Sequence, residues 1–108
     1  MKKDMTDYIN GMTENNLDTL EQIISLQYKK FMKFYKIVEP YSSSIEKVKY
    51  QFESPLSLDV FLILDSKKDA KELKRELESL MEKHDCNGSV EVNKKDIFIS
   101  IIMDEEWR

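Results

Sequence analysis

The side chains best suited to chemistry stand together at His84-Asp85-Cys86, where an imidazole, a carboxylate and a thiol adjoin. A cysteine nucleophile needs the imidazole as its base and a third group to orient that base. Neighbours at a helix end rarely reach that geometry, so the run reads as a helix C-terminus whose histidine is favoured by the dipole. Zinc sites draw about four ligands from separated clusters. The chain holds one histidine and one cysteine, so no metal centre is expected.

Asp59 and Asp65 are the second candidates. Paired carboxylates can do acid–base work in a cleft that raises one pKa. Asp65 is more simply a strand-end residue ahead of a helix cap. Asp59 is the more informative, because a charge in mid-strand must find water or a partner. A third possibility is an aromatic sheet surface of Tyr50, Phe52 and Phe98 that stacks single-stranded nucleic acid. The net charge of −4 has the wrong sign for it, and acids and bases are interleaved. The two glycines, Gly11 and Gly88, are isolated, so there is no phosphate-cradling loop. No catalytic residue, cofactor or metal is expected, and the chain reads as a non-enzyme.

These residues must be positioned by a small set of elements. The most apolar stretch is Leu56 to Leu64. Leu56, Leu58, Val60, Leu62 and Leu64 share one strand face, and Phe61 and Ile63 the other. Such a strand belongs mid-sheet, with cover on both sides. A strand from about Glu46 to Glu53 alternates cleanly, with Val48, Tyr50 and Phe52 against Lys47, Lys49 and Gln51. It reads as an edge strand with one wet face. Val90 and Val92 mark a third strand. Ile97, Ile99, Ile101 and Met103 mark a fourth, backed by Phe98 and Ile102.

Ser66 to Asp69 has the spacing of a capping box for a helix from Lys67 to His84 with a narrow apolar stripe. Upstream, Asp4 caps a short helix carrying Met5, Tyr8, Ile9 and Met12, and Gly11 stops it. A long helix is expected from Asn16 to Val38, ended by Pro40. The fold expected is α+β in a single domain, 1–108. A helical part covers 1–40, a ββαββ unit covers 45–103, and 104–108 is an acidic tail. The sheet is four-stranded and antiparallel in the order 1-2-4-3, with the Lys67 to His84 helix on one face and the long helix on or beside the other.

The apolar positions of the long helix span about half its circumference, more than one packed stripe needs. The expectation is therefore a protein-binding or regulatory protein, self-associating as a homodimer. Its interface is assigned to Leu26, Tyr28, Phe34 and Ile37, with Trp107 from the tail. Two other readings remain open. One is a phage or mobile-element inhibitor of a host protein, suggested by small size, acidity and a composition poor in alanine. The other is a nucleic-acid-linked regulator. A lone cysteine, no signal peptide and no membrane-length apolar run point to the cytoplasm.

Overall fold

Alternation dictates a two-layer arrangement, and the computed structural model, which describes residues 11–83 and 87–103, has one. The chain order is β1 (Thr13–Asn15), α1 (Leu17–Leu26), a 3-10 turn (Lys29–Phe31), α2 (Met32–Val38), a 3-10 stretch (Glu39–Ser44), β2 (Ile45–Ser54), β3 (Ser57–Leu64), α3 (Lys67–Lys83), β4 (Asn87–Asn93) and β5 (Asp96–Ile102). The expected helix with Met5, Tyr8 and Ile9, the His84-Asp85-Cys86 run and the tail with Trp107 lie outside the described residues.

The sheet has five strands in the order β1-β2-β3-β5-β4, and every neighbouring pair is antiparallel. This corrects the expected four-stranded 1-2-4-3 sheet. The difference is β1, which pairs Thr13, Glu14 and Asn15 with Tyr50, Lys49 and Val48. Thr-Glu-Asn has no apolar alternation and reads as a helix cap. It is a strand because β2 offers it a row of edge hydrogen-bonding groups. Asn16 keeps the capping role, its Oδ1 accepting the Thr19 N–H at 2.8 Å.

The long helix is also corrected. Asn16 to Val38 is broken after Leu26, and Tyr28 has φ −128° and ψ 50°, outside the helical region. That break lets the Tyr28 ring lie on Phe52, with centroids 4.0 Å apart and planes within 9°. The wide apolar girth is thereby explained. Two shorter helices separated by a 3-10 turn each use their own stripe. Leu20 and Ile24 of α1 are buried, as are Phe34, Tyr35 and Val38 of α2.

The third correction concerns cover. Side chains from α1, α2 and α3 join one continuous core with Val48, Tyr50, Leu58, Val60, Leu62, Leu64, Val90, Ile97, Ile99, Ile101 and Met103. All of those strand residues share one face of the sheet, so the helices are all on that face. Phe61, Ile63, Phe98 and Ile102 belong to the other face and to no part of that core. Two-sided cover was inferred from those four apolar residues. They alternate along their faces with Ser57, Asp59, Asp96 and Ser100, a half-polar surface with no described helix on it.

Candidate functional site

The face opposite the helices is built by register. Lys49, Phe61, Phe98 and Glu91 lie in one row across β2, β3, β5 and β4. The next row is Gln51, Asp59, Ser100 and Ser89, and another is Lys47, Ile63, Asp96 and Asn93. Ile102 stands at one end of the face, opposite Ser57 and Asn87. An apolar centre is thus framed by lysines on the β2 side and acids on the β4–β5 side. Phe61, Ile63 and Phe98 are half-buried, and Ile102 keeps 46% of its surface. Glu14 of β1 pairs with Lys47 at 3.2 Å, both side chains being well exposed, so the pair contributes little to stability.

Asp59 is the single buried charged residue among the described residues, at 3% exposure. It sits in mid-sheet between Gln51 and Ser100, and it is engaged with a partner. Asp65 is exposed at the end of β3, where its backbone N–H donates to the Ser44 carbonyl at 2.8 Å. Asp65 lies six positions along the chain from Asp59, roughly 20 Å at the rise of a strand. They do not form a carboxylate pair.

The aromatic trio is divided by the sheet. Tyr50 and Phe52 face the helices, in contact edge to face at 5.8 Å, and Phe98 faces away. The assigned interface residues are divided too. Leu26 is 79% exposed, whereas Phe34 has no exposed surface and Ile37 packs on the core. Tyr28 is half-buried on Phe52. Trp107 lies outside the described residues. The sheet face was missed because both of its apolar strands read as fully enclosed. The signal that could have found it is the serine–aspartate alternation of Ser57, Asp59, Asp96 and Ser100.

Two clefts on the described residues gather polar side chains. One of about 570 Å³ lies between β1 and the start of β2, lined by Glu14, Asn16, Glu46, Lys47 and Ile63 among others. It has carboxylates and a lysine but no serine, threonine, cysteine or histidine. The second, of about 400 Å³, holds Asp18, Glu21, Glu39 and Tyr35. There the Tyr35 hydroxyl donates to Glu21 at 3.0 Å. Burial, then that hydrogen bond, raises the Tyr35 pKa. No three His, Cys, Asp or Glu side chains among the described residues gather as metal ligands.

No protein-family model, no curated protein and no solved structure matches this chain. No helix among the described residues is long and apolar enough to cross a membrane.

The tyrosines give a pH prediction. Tyr41 donates its hydroxyl to Glu76, and this bond, followed by burial, pushes its pKa up to about 12. An unfolded phenol ionises near ~10. A raised folded pKa favours the neutral ring in the native state. Its contribution is therefore full below about pH 10 and is lost as pH rises from there to about 12. Tyr35 and Tyr50 act in the same direction. Denaturation midpoints should fall across that window, and Tyr41→Phe should make the fall shallower. An unchanged profile would show that the bond to Glu76 does not form.

Proposed function

We propose that this chain is a small, non-catalytic cytoplasmic protein that works by binding another protein through the sheet face opposite its helices. The observation that carries the reading is the placement of Phe61, Ile63, Phe98 and Ile102 on a rigid sheet outside the core. Large apolar groups on a flat, inflexible surface with a charged frame are what a protein interface uses as anchors. The lone cysteine supports a reducing compartment. Leu26 is exposed on its own and is not part of this surface.

Photo-crosslinking tests the assignment. Benzoylphenylalanine in place of Ile102 should give discrete adducts in cells, at least fivefold above the same probe in place of Ser79 on the exposed side of α3. Equal yields at the two positions would show that the face is ordinary surface.

A further inference from the structure

The sheet edge at β4 is long, regular and unguarded. β4 pairs with β5 along all of Asn87–Asn93 with no bulge. Among the described residues, no strand pairs with its other side. Alternate residues of an antiparallel strand direct their N–H and C=O away from a single partner. Proteins protect such an edge with lysine, proline, a bulge or a very short strand. β4 has none of these, and Ser89, Glu91 and Asn93 are exposed. The opposite edge strand, β1, is only three residues long.

Positive charge gathers above the β4 edge. The flank of α3 that meets β4 carries Lys71, Lys74 and Arg75, which line a cleft of about 370 Å³ with Glu78 and Val92. Lys67 lies on the same flank, one turn before Lys71. Lys94 and Lys95 extend the line at the β4–β5 turn. The Lys95 carbonyl accepts the Leu64 N–H at 3.0 Å, close to where α3 begins. Lys74 pairs with Glu78 at 3.7 Å. Among the described residues, Lys67, Lys71, Arg75, Lys94 and Lys95 form no ion pair. The acids in this half of α3 are engaged on the other flank, where Ser44 donates to Asp69 and Tyr41 donates to Glu76.

We propose that the β4 edge takes an acidic, extended segment of another protein as a sixth strand, held from above by the basic flank of α3. This site is separate from the sheet face assigned above and stands without it. Backbone bonds to β4 supply the attachment, and side chains at every second position rise to the helix side. Carboxylates at those positions reach Lys71, Lys74 and Arg75, and a guanidinium can hold one by two parallel bonds. Charge decides between the occupants. Antiparallel pairing of two β4 strands would set the basic flanks of two α3 helices side by side, where they repel. On its helix side β4 offers Val90 and Val92, so a second copy brings no acid to answer the cations. Nucleic acid has the charge, but no aromatic ring lines the cleft for a base to stack on, and a phosphate chain leaves the β4 backbone groups unused.

Peptide binding to the full chain tests the site. The probe is a fluorescent peptide of alternating glutamate and valine, as long as β4, titrated by anisotropy. A lysine-for-glutamate peptide should bind at least tenfold more weakly. The glutamate peptide N-methylated along its length should lose as much, since it keeps the charge and lacks the donors of a strand ladder. Lys71→Glu with Arg75→Glu should also weaken binding at least tenfold. Both side chains are exposed, and an unchanged thermal midpoint would show that the fold is kept. Bound peptide should slow amide exchange at alternate residues of Asn87–Asn93. Absence of saturable binding would overturn the proposal. Equal binding of the N-methylated peptide would do the same, because charge alone would then hold it. So would a single-stranded oligonucleotide that binds more tightly than the glutamate peptide and displaces it, which would make the flank a nucleic-acid surface. A peptide-free chain of twice 12.9 kDa with β4 already protected would name a second copy as the occupant and overturn it too.

Discussion

Leu62→Ala should lower the stability of this protein by about 2–5 kcal/mol, the cost of a cavity in a core that cannot collapse around it. Leu62 has no exposed surface and lies on β3, between Val48 of β2 and Ile97 of β5. Both neighbours are themselves buried, and the helix layer closes the site above them. The strands on either side are fixed by their ladders, so little relaxation is open to them. For a domain of this size each kcal/mol is worth roughly 4–8 °C in Tm, so the thermal midpoint should fall by about 10 °C or more. Denaturant titration should show a lower midpoint with an unchanged slope. A loss under roughly 1 kcal/mol would mean that β3 is not the central strand of a one-sided core. Ile63→Ala, one residue on but on the other face, is half-buried and should cost less.

Gly88→Ala should be the second severe change, for a reason that has nothing to do with burial. Gly88 has φ +147°, a backbone conformation that side chains rarely adopt. Strain of that kind costs about 1–3 kcal/mol by itself. A Cβ at this position would also stand 2.0 Å from the Ser100 carbonyl oxygen, an atom of the adjoining strand. Backbone cannot swing aside as a flexible side chain can. The pairing of Gly88 with Ile101 must open, and β4 is an edge strand with β5 as its only described neighbour. Amide exchange should therefore quicken first in Asn87–Asn93, with β3 protected until global unfolding. Uniform protection across β4 in the variant would show that glycine is not required there.

Local patterns in the sequence told much about the elements and less about their cover. The alternation of Val48, Tyr50 and Phe52 with lysines fixed which side of β2 meets the core, because a strand's side chains can only point two ways. The stripe of Ala70, Leu73, Leu77 and Met81 fixed the buried side of α3 by the same kind of constraint. β1 was not legible. Three polar residues carry no period, and their conformation is supplied by β2. The helix break at Tyr28 was hidden too, since Ile24, Tyr28 and Phe31 fit a helical stripe. A ring-on-ring contact with Phe52, distant in sequence, decides it. Cover failed for a different reason. Phe61, Ile63, Phe98 and Ile102 make a strand apolar on both sides whether they meet a helix, a terminus or a partner. That ambiguity moved the expected binding surface onto the helices, where Phe34 proves to be core.

The most direct test of the account joins the fold to the function at Phe61. Phe61→Asp replaces a half-buried ring on the face opposite the helices and leaves the helix-side core untouched. Crosslinked adducts from benzoylphenylalanine at position 102 should be compared with and without this substitution, in protein whose denaturation midpoint is measured alongside. The account predicts that adduct yield falls at least fivefold while cooperative unfolding is retained. Adducts undiminished by Phe61→Asp in folded protein would contradict it, because the partner would then be held by some other surface.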